Sequence, residues 1–157
     1  MLIKVAKSAG FCFGVARAVK QLEELIQSSE KNIYCVGKLI HNTSFNKFLE
    51  TRGVVFAEAD QSERVPEDSI AVLRTHGVPL NTEQKLADRG CEIRDLTCPF
   101  VKNIHNIMLS QTDTDTLSII IGDEKHPEIE GIKSRAHGDA VVFSGFSELE
   151  KHIYNLN

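Results

Sequence analysis

The sequence predicts an α/β fold of mainly parallel sheets flanked by helices, with one complete unit followed by a second, truncated one. Two observations carry that expectation. Short β-branched segments alternate with amphipathic helical patterns, the signature of βαβ units. A weak internal repeat also sets a cysteine and a histidine at matching distances in the two halves of the 157-residue chain.

Taken in order, the strand candidates are "LIKVA" (2–6), "IYCV" (33–36), "VVF" (54–56), "IAVLR" (70–74), "EIRDL" (92–96), "LSIII" (117–121) and "AVVF" (140–143). Between them the pattern changes period. Residues 14–28 space Val15, Val19, Leu22 and Ile26 along one helical stripe. Further helices are expected at 43–51, 81–89 (ended by Gly90), 99–110, 127–136 and 146–155. Pro99 and Pro127 suit the first helical position, and "SELE" at 147–150 reads as a capping box.

In the repeat, Cys12 follows a strand and opens a helix, and the next strand ends at His41, 29 residues on; Cys98 does the same, with His126 28 residues on. A helix and a "VVF" strand follow each histidine, and the first copy then adds a fourth strand ending at His76 in "RTHGV". The second copy stops before such a strand. The expected division is a first domain over 1–96 and an incomplete second over 97–157, so the chain reads as a fragment. Strand-helix-strand units run to ~30 residues in any case, so strand spacing alone would be cheap coincidence; matched Cys and His positions are less so.

Composition narrows the functional classes. The chain is 41% hydrophobic and 25% charged, with no tryptophan and a net charge of −4. No apolar run approaches the ~20 residues of a membrane span, and Lys and Arg are scattered rather than gathered into a basic face. Neither a membrane nor a nucleic acid is the expected partner. "MLIKVAK" lacks the pattern of a secretory leader, which points to the cytoplasm. Four cysteines (Cys12, Cys35, Cys91, Cys98) in a reducing compartment favour buried thiols, metal or redox chemistry over disulfides.

Ligands of open parallel sheets bind beyond the strands' carboxyl ends, beside helix N-termini. Cys12, His41, His76, Cys98 and His126 all fall at such corners. Any single histidine there reads most simply as a cap or a surface residue. Three together suit an anion such as a phosphate or diphosphate. Glu128, at the start of the helix after His126, reads most simply as a carboxylate complementing the helix dipole; facing the same cleft, it could move a proton. Glu130, two residues further, turns away from that helix face. His105, His137 and His152 lack a corner context and carry no assignment.

The thiols leave several chemistries open. A zinc knuckle is disfavoured, because no C-x-x-C pair exists and Cys12 and Cys98 are 86 positions apart. A cysteine phosphatase would need an arginine where Cys12 offers Ala18 and Cys98 offers Ile104. A hydrolase using Cys12 as nucleophile would leave the matching Cys98 unexplained. An iron–sulfur cluster accepts thiolates from separate loops but needs more than two. Cys35, inside a strand, and Cys91, at the sheet's amino end and half-exposed at most, read as structural.

The motifs "GFCFGV", "LIHN", "THGV", "DLTCPFV" and "HPEIEG", in this order from residue 10 to residue 131, resemble the 4-hydroxy-3-methylbut-2-enyl diphosphate reductase family of the non-mevalonate isoprenoid pathway. The resemblance covers the first half of family members. It implies three α/β domains in pseudo-threefold array around a central [4Fe–4S] cluster, with Cys12 and Cys98 as two cysteine ligands and a third outside this chain. It also implies that His41, His76 and His126 bind the substrate diphosphate and that Glu128 delivers protons. The implied reaction is reductive dehydroxylation to isopentenyl and dimethylallyl diphosphate, with ferredoxin or flavodoxin as electron donor. The chain alone is then expected to be inactive; the alternative is a diphosphate-binding module without catalysis.

Overall fold

The computed structural model describes residues 1–154. Four strands, β1 (Ile33–Val36), β2 (Val54–Ala57), β3 (Ile70–Leu73) and β4 (Glu92–Asp95), form one sheet in the order β2-β1-β3-β4. All pairings are parallel, with Ile33 level with both Val54 and Ile70, and Ile70 level with Glu92. Two further strands, β5 (Ser118–Ile121) and β6 (Ala140–Phe143), pair in parallel as a separate sheet. Six α-helices alternate with the strands: α1 (Phe13–Ser28), α2 (Thr43–Thr51), α3 (Leu80–Asp88), α4 (Pro99–Gln111), α5 (Pro127–Lys133) and α6 (Phe146–Tyr154).

The period-2 alternation of the strands divides the core into two layers. Ile33 and Cys35, with Ile70 and Val72, face Ala18 and Leu22 of α1 and Leu49 of α2. Val36, Ala71 and Leu73 face Val65, Val78 and Leu86 of α3. β3 is buried at all four positions, as expected of a central strand in a sheet covered on both faces. Around β5 the core is smaller, with Met108, Ile120 and Ile132 buried together.

The two sheets meet along a polar seam. Arg135, 3% exposed at the end of α5, donates from Nη1 to the carbonyls of Val78 (2.8 Å) and Gly131 (2.7 Å) and from Nη2 to Glu83 of α3 (2.9 Å). Beside it, Ser134 Oγ accepts from the Leu80 N–H at 2.9 Å. The end of α5 is thereby fastened to the segment that leads into α3.

The structure departs from the sequence expectations in several places. Residues 2–6 form no strand: Leu2, Ile3 and Val5 are 82%, 72% and 78% exposed, and β1, at the centre of its sheet, already has a neighbour on each side. Strand preference is a preference for a packed, paired surface, and "LIKVA" meets neither a ladder nor a core here. His41 and His126 do not end strands; each lies five residues past one, in the loop before a helix. α5 ends at Lys133, three residues early, and a 3-10 helix at Ala59–Arg64 was not anticipated. Glu148 caps Ser144 instead of completing a box from Ser147, accepting at 2.7 Å from both its N–H and its hydroxyl. Cys91 is buried at 8% exposure rather than half-exposed. Residue 155, the last of the expected sixth helix, lies outside the described residues. No helix among the described residues is long and apolar enough to cross a membrane.

Replacing Arg135 with Ala strands the Val78 carbonyl and a half-buried carboxylate, while the Gly131 carbonyl keeps the Ser134 hydroxyl, and should lower the unfolding free energy by about 2–4 kcal/mol. Urea titration checks this; a change under about 0.5 kcal/mol would show that the seam is not held by this side chain.

Candidate anion and thiolate site

Every strand of the larger sheet points its carboxyl end the same way, and the loops leaving β1, β3 and β4 carry the distinctive residues. From β3 the chain runs Arg74, Thr75, His76 and then Gly77 at φ +76°, a left-handed turn suited to glycine. Arg74 stiffens that turn: its Nε donates to the Gly77 carbonyl at 3.0 Å, and its guanidinium lies where a Cβ on Gly37 would sit, 2.6 Å away. Thr75 joins the corners. Its hydroxyl donates to the Leu39 carbonyl at 2.8 Å, two residues before His41, and its own carbonyl accepts the Cys98 N–H at 2.8 Å.

The three histidine rings converge. Ring centroids are 4.7 Å apart for His41 and His76, 5.7 Å for His76 and His126, and 6.2 Å for His41 and His126. His41 directly precedes Asn42, the N-cap of α2, whose side chain accepts from the Phe45 N–H. His126 is itself the N-cap of α5 and accepts the Glu128 N–H on Nδ1 at 3.2 Å. That bond leaves the other ring nitrogen, Nε2, as the N–H donor. His76 is pushed down to about 4, first by burial and then by His41, Arg74 and His126 around it. At neutral pH it is uncharged, a hydrogen-bond donor whose proton affinity an incoming anion would raise.

Cys12 and Cys98 are the N-cap residues of α1 and α4, and neither thiol caps its helix through a hydrogen bond. Cys12 is exposed and Cys98 partly buried. Cys98 packs on the first turn of α1: a Cβ on Gly14, two residues past Cys12, would lie 2.6 Å from Cys98 Sγ, so only glycine admits the thiol there. Arg17, one turn along α1, donates to the Thr97 carbonyl at 2.6 Å and fixes the peptide just before Cys98. Phe11, Phe13 and Phe100 stand exposed beside the two cysteines. Cys35 and Cys91 stay apart from this group: burial pushes the Cys35 thiol up to about 12, and Cys91 sits at the amino end of β4 with its Sγ 3.5 Å from the Pro66 carbonyl.

Two thiols at helix N-termini fit the chemistry of iron or an iron–sulfur cluster, but they are a partial donor set. Among the described residues no group of three His, Cys, Asp or Glu side chains is placed to hold a metal ion. Glu128 lies in the first turn of α5, partly buried, whereas Glu130 is exposed. Sequence reasoning missed Thr75, Arg74 and Arg17. The first two flank His76 in "RTHGV", and that adjacency was the available signal.

Such an arrangement defines a class: a parallel α/β protein in which three imidazoles converge beyond the carboxyl edge of the strands and two cysteines open neighbouring helices. The chain belongs to the LytB protein family, whose model matches residues 3–156. It is 36% identical over 150 residues to the 4-hydroxy-3-methylbut-2-enyl diphosphate reductase of Clostridioides difficile (strain 630), covering 96% of this chain and 53% of that protein. The counterpart in Caldanaerobacter subterraneus subsp. tengcongensis is 35% identical over 151 residues, covering 96% of this chain and 52% of that protein. The solved structure of (E)-4-hydroxy-3-methyl-but-2-enyl diphosphate reductase, described as the terminal enzyme of the non-mevalonate pathway, superposes with a TM-score of 0.80 at 32% identity; the match covers 97% of this chain and 54% of that one. The Plasmodium falciparum reductase superposes with a TM-score of 0.81 at 26% identity, covering 92% of this chain and 45% of that one. The chain thus spans about half the length of the relatives it matches.

The low proton affinity of His76 links folding to pH. Between about pH 6.5 and about pH 4 the unfolded chain holds a proton on this ring that the folded chain rejects, so stability is full above that window and falls as pH drops through it. Chemical denaturation at a series of pH values should show the decline, and His76→Asn should make it shallower, leaving the part contributed by buried His105, whose imidazole is likewise pushed down to about 4. An equal slope in parent and variant would remove His76 as its source.

Proposed function

We propose that this chain supplies the substrate clamp, two cluster ligands and the proton-delivering carboxylate of a 4-hydroxy-3-methylbut-2-enyl diphosphate reductase. The observation that carries the reading is the convergence of His41, His76 and His126, with ring centroids 4.7–6.2 Å apart, beside the paired corners of Cys12 and Cys98. Residues 1–96 form the first domain of this scheme and 97–157 part of a second. The cytoplasm is its compartment, where thiols and clusters remain reduced.

In this scheme His41, His76 and His126 donate hydrogen bonds to the diphosphate oxygens, helped by the N–H groups and dipoles at the starts of α2 and α5. Protons drawn onto the rings would neutralise part of the ligand's charge. Cys12 and Cys98 would hold a [4Fe–4S] cluster together with a third thiolate from outside residues 1–157, since Cys35 and Cys91 are buried elsewhere. When bound, the cluster supplies electrons, received from ferredoxin or flavodoxin, and a Lewis-acidic iron for the substrate hydroxyl. Glu128 passes protons towards that hydroxyl. Two electrons and two protons balance the reaction: the allylic C–O bond breaks, oxygen leaves as water, and a new C–H bond forms in isopentenyl or dimethylallyl diphosphate. Phe11, Phe13 and Phe100 would keep water from the thiolates.

A second reading, a diphosphate-binding module without catalysis, draws on the lack of a three-donor metal group among the described residues. Iron and sulfide separate the two. Under anaerobic reconstitution the 157-residue chain should bind pyrophosphate but neither retain a stable cluster nor reduce substrate; a stable brown, active chain would refute the partial-site reading. In a version joined to a family C-terminal half, Cys98→Ser should abolish the cluster absorbance, and Glu128→Gln should spare pyrophosphate binding while lowering turnover ~100-fold or more. A joined protein that takes up neither iron nor sulfide would favour the module, and absorbance unchanged by Cys98→Ser would remove Cys98 as a ligand.

A further inference from the structure

His105 is a fully buried histidine that the proposed chemistry does not use. It lies in α4 at 1% exposure, and neither ring nitrogen has a hydrogen-bond partner among the described residues. Buried polar groups are nearly always paired, and an apolar side chain would fill this position without leaving two nitrogens unsatisfied. A polar ring kept here calls for a reason beyond packing.

Its neighbours supply one. A Cβ on Gly77 would lie 2.6 Å from His105 Cε1, and a Cβ on Gly131 would lie 3.3 Å from Nε2, so the imidazole occupies the space that two glycines leave open. Gly77 directly follows His76. Gly131 lies three residues beyond Glu128, on the same face of α5. The ring therefore wedges the turn that carries His76 against the helix that His126 caps, and Arg135 grips the same seam through the carbonyls of Val78 and Gly131. The charged groups acting on it are Arg135 of α5, Lys102 of α4 and Asp95 of β4. Burial, with the two cations outweighing Asp95, pushes the imidazole down to about 4 and keeps it neutral, with one N–H and one lone pair to offer.

We propose that His105 is a positioning residue of the anion site: it spaces the His76 turn from the His126 helix, and its ring hydrogen-bonds the His76–Gly77 turn when a diphosphate-type anion is held. The inference rests on the diphosphate reading of the three histidines. A bond made only in the occupied state favours that state over the empty one, so the ring would contribute to affinity without touching the ligand.

The test uses the 157-residue chain and inorganic pyrophosphate, with binding measured by calorimetry. His105→Phe fills the space without polar atoms; it should bind pyrophosphate about tenfold or more weakly while its thermal midpoint stays level or rises. His105→Gln, which restores a donor and an acceptor, should recover most of the affinity. A purely structural role predicts the opposite pairing, with affinity following the thermal midpoint in both variants. In the unmodified chain labelled with ¹⁵N-histidine, the His105 ring signals should move on addition of pyrophosphate. This second readout decides the matter if the Phe variant fails to fold. Affinity unchanged in His105→Phe, or ring signals that do not move while pyrophosphate binds, overturns the inference. If the parent binds no pyrophosphate and His126→Ala makes no difference, the diphosphate reading itself fails and the inference goes with it.

Discussion

The site depends on Thr75. Its side chain and backbone join three loops that leave different strands: the hydroxyl holds the Leu39 carbonyl beside His41, and the carbonyl holds the Cys98 N–H, while His76 is the next residue along. These bonds are buried, and Thr75 is 4% exposed, so breaking one leaves a polar atom without water to replace its partner. Parallel strands bring their carboxyl ends to one edge, but they leave the loops beyond that edge free in direction. Thr75 turns a shared edge into a fixed relation between two imidazoles and a thiol.

A second constraint is electrostatic. Three imidazoles with centroids 4.7–6.2 Å apart repel one another when charged, and Arg74 adds to the effect on His76. Burial, with His41, Arg74 and His126 around it, holds the His76 ring uncharged, so under the proposed reading this ring meets an anion as a hydrogen-bond donor. The His126 Nδ1 bond from the Glu128 N–H commits one ring nitrogen to the helix start and leaves Nε2 to carry the N–H of the neutral ring.

Much of this was legible in the sequence, for identifiable reasons. β1, β3 and β6 announced themselves as runs of β-branched residues, and the prolines at the starts of α4 and α5 marked where those helices begin. The corner residues were legible because Cys and His recur there at matched distances. What escaped depended on tertiary partners. "LIKVA" has strand composition, yet its side chains lie exposed because no neighbouring strand takes it up. His105 looked like any helical histidine, since its meaning comes from Gly77 and Gly131, 28 positions before it and 26 after. The helix starts at Phe146, as expected, which places Ser147 inside it, so the Glu148 carboxylate accepts from Ser144 instead of completing a box from Ser147.

The repeat explains why the seam matters as much as the corners. β5 pairs with β6 as β1 pairs with β2, in parallel and at nearly the same offset from a cysteine corner, whereas β1 also has β3 on its other side and β5 has no second neighbour among the described residues. The first unit carries Cys12, His41 and His76; the second carries Cys98, His126 and Glu128. The three converging imidazoles come from loops of both sheets, so their geometry is only as fixed as the contact between the sheets. Cys98 is set by Thr75 and by the glycine gap in α1, and His126 by α5, which Arg135 and Ser134 fasten to the Val78–Glu83 stretch. Side chains far from the three imidazoles thus set the distances among them, and under the proposed reading the buried polar residues of the seam belong to the binding problem as much as to the folding one.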